Sequence, residues 1–128
     1  MAFLYTSPSE KFHPKTKTVP LISKKKILAF SPHSDDLSIG AGGFLAQLAE
    51  ENIIVPLLAY TGWRGVEGDT PKREATKVRE EEMKKEAVAL GMRSPLFLRL
   101  STYEKDTMVS KTNDVAKIKE VLKKQKPD

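Results

Sequence analysis

A histidine and two adjacent aspartates lie in the stretch FSPHSDDLSIGAGG, which runs from Phe30 to Gly43. His33 and Asp36 are three residues apart, so across a turn they can converge on one cation, while Asp35 can face a bound water. Imidazole nitrogen with carboxylate oxygen suits zinc, and manganese, iron and cobalt accept similar ligands. These residue types at this spacing therefore indicate a metal or proton-transfer site.

A structural role for the same three side chains is the alternative. The histidine would cap a turn, and the aspartates would begin a helix, whose positive dipole end stabilises a carboxylate. The glycines Gly40, Gly42 and Gly43 favour a ligand site, because glycine lets backbone approach a ligand or a neighbouring element closely. They do not complete the G-x-G-x-x-G fingerprint of dinucleotide binding, since Leu45 occupies the position of the third glycine.

The composition limits the class of protein. The chain has 128 residues, 39% of them hydrophobic and 30% charged, which is typical of one globular domain. No apolar run approaches the roughly 20 residues of a membrane helix, and the start has no secretory signal, so we expect a cytoplasmic protein. With no cysteine, any metal must be held by histidine and carboxylate. The net charge of +5 raises nucleic-acid binding as an alternative, but a solvated helix face explains the lysines better.

Three apolar runs of strand length alternate with three helical patterns. The predicted strands read KILAF, IIVPLLAY and PLFLRL. The predicted helices are FLAQLAEEN, a long helix with Thr70 as its cap and Pro71 as its first position, and NDVAKIKEVLKKQ. This order predicts an α/β fold with a mostly parallel sheet, helices on its faces and right-handed crossovers. Ligands of such sheets bind beyond the carboxyl ends of the strands, which is where SPHSDD falls.

The chain is predicted to divide into an N-terminal arm, residues 1–23, and one domain, residues 24–128. Pro56 lacks a backbone N–H, so it predicts an edge position, a bulge or a break in the second strand. The final residues KPD are typical of the approach to a fourth strand. We therefore expect the sheet to lack its last strands and the domain to be incomplete at its C-terminus.

The second and third predicted helices each have an apolar stripe along one face. In the second helix, Arg79, Glu82 and Glu86 fall within the apolar stripe, whose members are Ala75, Val78, Met83, Ala87, Ala89 and Leu90. Either these charges form half-exposed surface pairs, or Arg79 and Glu82 brace the loops beneath the aspartate motif. The stripe of the third helix is predicted to consist of Val115, Ile118 and Leu122.

The stretch SPHSDDLSIGAGG resembles the HPDDxxxGxGG signature of the LmbE and PIG-L family of zinc-dependent N-acetylglucosaminyl deacetylases. The loop YTGWRG is similar to the family's T-x-G loop, and Arg79, Glu82, Leu90 and Gly91 match its R-x-x-E helix ending in LG. The resemblance covers residues 26–91 well and the remainder weakly. It implies a Rossmann-like three-layer fold and hydrolytic N-deacetylation of an N-acetylglucosamine-type amino sugar or glycoconjugate.

Carried over by position, the resemblance makes His33 and Asp36 zinc ligands and Asp35 the general base. Ser34 stands where the family usually has proline. The family takes its third ligand from a later histidine, which this sequence does not reach, and His13 is its only other histidine. Either the sequence is the amino-terminal part of a longer enzyme, or a partner supplies the histidine, or the metal function has been lost. We favour the first and expect residues 1–128 to be inactive alone, because catalytic zinc needs three ligands.

Residues of the glycine-rich loop TGWRGVEGD are the candidates for substrate binding. The indole of Trp63 can stack on a sugar face, and the guanidinium of Arg64 can donate to hydroxyl or phosphate oxygen. A tryptophan pinned into the core explains Trp63 almost as well. The alternative function is a non-catalytic sugar-binding or regulatory module on the same fold, and a homo-oligomer is a further expectation.

Overall fold

The computed structural model describes residues 22–128 and contains a parallel sheet with three long helices. Most of the predicted arm and His13 lie outside the described residues. The elements are β1 (Lys26–Ser31), α1 (Asp36–Ala49), β2 (Ile53–Leu58), a short 3-10 helix (Trp63–Gly65), α2 (Lys72–Ala89), β3 (Leu96–Phe97) and α3 (Met108–Gln125). The predicted alternation of strands and helices is confirmed.

The three strands are all parallel, and β2 lies between β1 and β3. β1 pairs with β2 along its whole length, with Leu28 opposite Val55. β3 pairs with β2 over only two residues, with Leu57 opposite Leu96. β2 is buried almost throughout, as expected for a central strand covered on both faces.

The position of Pro56 differs from its prediction, because β2 is the central strand of the described sheet and pairs without a bulge. Pro56 lies directly opposite Ala29 in an unbroken register. The amides of Ile53 and Ala59 donate towards β1, so by alternation the nitrogen of Pro56 faces the β3 side. The β3 ladder begins only at Leu57, so the missing donor interrupts no strand pairing there.

Helices α1 and α2 pack side by side on one face of the sheet. The apolar core between these helices and the strands contains Ala29, Leu37, Leu45, Leu48, Ile54, Leu58, Met83, Ala87 and Met92. The opposite face buries Val55, Leu57 and Leu98, and α3 lies beside Leu96, Phe97 and Leu98 on that side. These layers fix the loop between β1 and α1 at the carboxyl end of the sheet.

Helix α3 begins earlier than predicted and turns a different face to the protein. Thr107 caps it, because its hydroxyl accepts the Ser110 N–H and the Ser110 hydroxyl accepts the Thr107 N–H. The predicted apolar stripe is mostly wrong, since Val115 and Leu122 are exposed. The buried side chains of this helix are Ser110 and Asp114, which hydrogen-bond to backbone groups of the loop before it.

Polar contacts hold the segment after β3 and the last residue, Asp128, against the rest of the domain. After β3, Arg99 adopts a positive φ of 48° and forms a two-point ion pair with Glu80, at 2.7 and 3.0 Å. On the other side of the sheet, the N–H of Asp128 donates to the carbonyl of Lys26 in β1. Residue 128 therefore lies where a strand neighbouring β1 would run. Between residues 22 and 128, no helix combines the length and the apolar character needed to span a membrane.

Candidate active site

The histidine and both aspartates of the motif lie in the turn from β1 into α1. Asp36 is the first residue of α1, and Asp35 occupies its N-cap position. The backbone N–H of His33 donates to Oδ2 of Asp36 at 2.8 Å, and its Nδ1 lies 3.2 Å from the same oxygen. The turn therefore brings the imidazole and one carboxylate together, as the spacing predicts.

Asp35 differs from Asp36 in having no partner for its carboxylate. Its backbone carbonyl accepts the N–H of Ile39 and the hydroxyl of Ser38, which is where the helix begins. Within residues 22–128 its carboxylate oxygens form no hydrogen bond or ion pair, and the residue is exposed. Asp35 also lines the cavity described below, so an unpaired acceptor faces that space.

Helix α2 is linked to the motif turn through Glu82. Oε2 of this residue accepts the hydroxyl of Ser34 at 2.9 Å and Nη1 of Arg79 at 2.7 Å. Arg79 Nε also donates to the carbonyl of Gly62 at 3.3 Å, so one network joins the loops after β1 and β2. Burial alone would raise the pKa of Glu82, but the hydrogen bonds from Arg79 and Ser34 outweigh it, and the pKa is lowered.

Glu86 makes a second link between α2 and the motif helix. Its Oε1 accepts the N–H of Ser38 at 2.7 Å, which satisfies a donor in the first turn of α1. Its other oxygen is buried without a partner among the described residues. The charges on the stripe of α2 therefore contact the motif region, whereas Val78, an expected member of the apolar stripe, is 44% exposed.

Two glycines of the loop after β2, Gly62 and Gly65, are accommodated for different reasons. Gly62 has a positive φ of 62°, which glycine adopts without strain, and a Cβ there would lie 3.8 Å from the imidazole of His33. At Gly65 a Cβ would overlap the guanidinium of Arg79. The glycine content of this loop therefore has a packing reason at the site itself.

The glycines of α1 have a different environment from the one predicted. A Cβ on Gly40 or Gly43 would meet no described atom within 4 Å, so neither allows a close approach within residues 22–128. Gly42 is buried, and a Cβ there would lie 3.8 Å from Leu90. At Gly40 and Gly43, a close approach to a neighbouring element is therefore not seen in the described part of the chain, while approach to a ligand stays a prediction.

A cavity of about 280 Å³ opens in front of the motif turn. Its lining includes His33 and Asp35 on one side and the loop after β2 on another, with Arg79 beneath. The remaining wall comes from the segment after β3, which contributes Leu100, Tyr103 and Glu104. All three loops follow the carboxyl ends of parallel strands, where ligands of open α/β sheets bind.

Trp63 and Arg64 both line this cavity, but the indole is held by neighbours. Trp63 Nε1 donates to Oε1 of Glu104 at 2.9 Å. Cζ of Arg64 and Nζ of Lys72 lie 5.3 and 5.6 Å from the indole ring centre. The tryptophan is therefore pinned as part of the cavity wall, close to the structural alternative for this residue.

Comparison with known proteins places the chain in a family. The sequence profile described as PIG-L, GlcNAc-PI de-N-acetylase, matches residues 28–128. The chain belongs to the PIG-L family. The resemblance of the motif residues to this family and the predicted α/β fold are both confirmed.

Relatives of this PIG-L-family chain include sugar deacetylases. A diacetylchitobiose deacetylase of Thermococcus kodakarensis is 34% identical over 111 residues, which are 84% of this chain and 40% of the relative. The N,N'-diacetylchitobiose deacetylase of Pyrococcus horikoshii, solved with an inhibitor, superposes with a TM-score of 0.63 at 27% identity, covering 81% of this chain and 39% of that one. The chain therefore spans about two fifths of the length of these deacetylases.

The same fold also occurs in a protein named for a different reaction. GalB of Pseudomonas putida KT2440, a 4-carboxy-2-hydroxymuconate hydratase, superposes with a TM-score of 0.63 at 25% identity. The match covers 80% of this chain and 44% of that one. The fold alone therefore does not fix the reaction, which has to be argued from the site.

The donors of the PIG-L-family chain fit part of a zinc site. Tetrahedral zinc with ligands at about 2.0–2.1 Å sets donor atoms about 3.3 Å apart, and Nδ1 of His33 lies 3.2 Å from Oδ2 of Asp36. Residues 22–128 contain no group of three histidine, cysteine, aspartate or glutamate side chains that could hold a metal. These two residues therefore fit two ligand positions, and a third donor is not among the described residues.

Sequence reasoning missed three side chains of the cavity wall. The rings of Tyr60 and Tyr103 lie 5.4 Å apart between centres at a tilt of 42°, and Tyr103 also forms an edge contact with His33 at 6.3 Å. Glu104 holds Trp63. One signal could have found them, because Tyr60 ends a predicted strand, and Tyr103 and Glu104 follow the next predicted strand at its carboxyl end.

Proposed function

We propose that this PIG-L-family chain carries part of the active site of a zinc-dependent deacetylase for an N-acetylated amino sugar. The observation that supports it most is the unpaired carboxylate of Asp35, which faces the cavity beside His33. A free acceptor next to two converging metal donors is the arrangement that metal-assisted hydrolysis of an amide requires. The named activity of the deacetylase relatives agrees with this proposal.

Each residue of the motif has a distinct role in the proposed reaction. His33 and Asp36 hold the zinc, together with a donor outside residues 22–128. The chemistry that bound zinc supplies is a lowered pKa of water and a polarised acetamide carbonyl. Asp35 accepts a proton from the attacking water, whose oxygen bonds to the carbonyl carbon. The carbon–nitrogen bond then breaks, and the nitrogen takes up a proton, giving acetate and the free amino sugar.

The cavity wall suits a small polar ring. Arg64 donates to a sugar oxygen, while the aromatic rings of Trp63 and Tyr103 exclude water from one side. Arg79 acts from beneath as a brace, because its Nη1 and Nε already donate to Glu82 and Gly62. The cavity is open to solvent on one side, so a longer substrate would extend out of it.

Acetate release from N,N'-diacetylchitobiose, with zinc added and with zinc chelated, tests the proposal. The assay needs the protein with whatever sequence supplies the third donor, alongside residues 1–128 alone. We expect zinc-dependent acetate release by the former and none by the latter. If the first shows no acetate release at saturating zinc and substrate, the proposed reaction is wrong.

One observation favours a second candidate, a non-catalytic sugar-binding or regulatory module. Residues 22–128 hold no three-donor metal group, although they form a cavity with aromatic walls. Such a module would bind N-acetylated sugars without zinc and release no acetate. Calorimetric titration with N,N'-diacetylchitobiose in the presence of a chelator separates the two functions, because only the module would keep its full affinity. The cytoplasmic location and the homo-oligomer stay predictions.

A further inference from the structure

The carboxylate of Glu104 joins two of the loops around the cavity. Its Oε1 accepts the indole N–H of Trp63 at 2.9 Å, and its Oε2 accepts Nζ of Lys72 at 2.5 Å. Glu104 follows β3, Trp63 follows β2, and Lys72 is the first residue of α2. The hydrogen bonds from Lys72 and Trp63 lower the pKa of Glu104, so the carboxylate stays ionised and accepting at neutral pH.

We propose that Glu104 is a positioning residue: by holding the indole of Trp63, it holds Arg64 where it can bind an oxygen of the substrate. This inference rests on the proposed function and adds a residue that the motif does not contain. Glu104 itself need not touch the reacting atoms. Its contribution is to fix a wall of the cavity before substrate arrives, which lowers the entropy cost of binding.

Arg64 is the cation of the cavity that remains open for substrate. The other two cations at this site are occupied, Arg79 by Glu82 and Gly62, and Lys72 by Glu104. Within residues 22–128 Arg64 makes no hydrogen bond or ion pair. The indole lies 5.3 Å from its Cζ, and the charge of Arg64 adds a smaller contribution to the lowered pKa of Glu104. A shift of the indole would therefore move a guanidinium of the cavity wall that has no hydrogen-bond partner among residues 22–128.

Glu104 is not needed to hold its own loop. At the start of the loop, Asp114 accepts the backbone N–H groups of Ser101 and Thr102. At the end of the loop, the capping box of Thr107 and Ser110 fixes the entry into α3. Since both ends are anchored independently, removing the Glu104 carboxylate should release Trp63 while leaving the loop in place.

The first measurement needs no substrate, because Trp63 is the only tryptophan of the 128 residues. Acrylamide quenching of its fluorescence should increase in Glu104→Ala and increase less in Glu104→Gln, whose amide oxygen can still accept the indole N–H. The matched control is Asp106→Asn, which removes a carboxylate from the same loop whose partner is Lys111. Unchanged quenching in Glu104→Ala, or an equal increase in Asp106→Asn, would overturn the proposal.

The second measurement separates positioning from a structural role. In the zinc-loaded protein used for the acetate assay, Glu104→Ala should raise KM about tenfold, corresponding to about 1.4 kcal/mol, and leave kcat within about twofold. Glu104→Gln should recover part of the affinity, and Asp106→Asn should match the wild type. A released indole with an unchanged KM would show that the contact is structural only.

If the wild type releases no acetate, the dissociation constant for N,N'-diacetylchitobiose is measured instead for the same Glu104 variants, from the fluorescence of Trp63. A higher Kd in Glu104→Ala than in the wild type would then support the positioning role, although the proposed deacetylation would be wrong. An equal Kd in the two proteins, or no binding by the wild type, would overturn both the deacetylation and the positioning role.

Discussion

The hydroxyl of Ser34 donates a 2.9 Å hydrogen bond to Glu82 across 48 residues of sequence. Ser34 is only 3% exposed, and it occupies the position at which the family resemblance expects proline. Proline would stiffen the motif turn by fixing φ, whereas this serine ties the turn to α2 instead. The same carboxylate holds Arg79, so the turn, the helix and the loop after β2 share one acceptor.

Replacing Glu82 by alanine should lower the free energy of unfolding by about 1–2 kcal/mol, because a largely buried guanidinium and a buried hydroxyl both lose their acceptor. The side chain of Glu82 is 46% exposed, so the loss should stay below that of a fully buried pair. Denaturant unfolding measures it. The control is Glu81→Ala, whose exposed pair with Lys84 should contribute nothing measurable. Equal midpoints for both variants would show that the Glu82 network is solvated.

The buried carboxylate of Asp114 should make stability depend on acid pH. Burial would raise its pKa, but the backbone hydrogen bonds of Ser101 and Thr102 outweigh burial and lower the pKa below 3.8. Its stabilisation is therefore complete above the unfolded pKa and is lost as pH falls through the folded pKa. We expect Asp114→Asn to cost about 1–3 kcal/mol at pH 7 and less as the pH approaches 3. Denaturant unfolding at each pH measures the difference in the free energy of unfolding between the wild type and Asp114→Asn. A difference that is the same at pH 7 and pH 3 would contradict this prediction.

Two glycine substitutions should have opposite effects. Gly65→Ala forces the guanidinium of Arg79 aside and should cost about 1–3 kcal/mol, as overpacking usually does. Gly43→Ala meets no described atom and lies inside α1, so it should stabilise the protein by about 0.5–1 kcal/mol. Thermal melts compare them. Destabilisation by Gly43→Ala would show that this glycine faces a neighbour outside the described residues.

Zinc affinity should depend on His33 and Asp36, since their donor atoms already lie 3.2 Å apart. We expect His33→Ala and Asp36→Ala each to weaken zinc binding by at least about tenfold, because each removes one ligand. Competition with a chromogenic chelator measures the affinity in the protein that includes the third donor. His13→Ala is the control, as it removes the only other histidine of this sequence. If His13→Ala lost zinc affinity and the His33 and Asp36 variants kept it, the assignment of His33 and Asp36 as zinc ligands would be wrong.

Asp35→Asn should keep zinc and lose turnover. The amide fills the same space but cannot accept a proton at neutral pH, and losses of a general base are typically about 10²–10⁴-fold in kcat. Acetate release and bound zinc are measured on the same sample, which separates catalysis from metal loss. Near-normal kcat in Asp35→Asn would move the proton acceptor to another residue.

Local sequence patterns were sufficient for the element order and for the position of the motif. Apolar runs such as KILAF and the helical spacing that follows SPHSDD depend only on neighbours in the chain, so they predict β1 and α1 directly. Since parallel sheets bind ligands at one end, the motif's place at the carboxyl end of β1 followed from the same patterns. The roles assigned to His33, Asp35 and Asp36 stay predictions.

Contacts between distant side chains were decided by the tertiary structure alone. Trp63 meets Glu104 across 41 residues, and Glu80 pairs with Arg99 across 19, yet no periodicity marks either pair. A central strand can contain Pro56 because β3 begins to pair with β2 only at Leu57, and this depends on the neighbouring strand rather than on the local sequence. A sequence fixes which residues can be buried or charged, but which of them meet depends on how the loops after β1, β2 and β3 pack together.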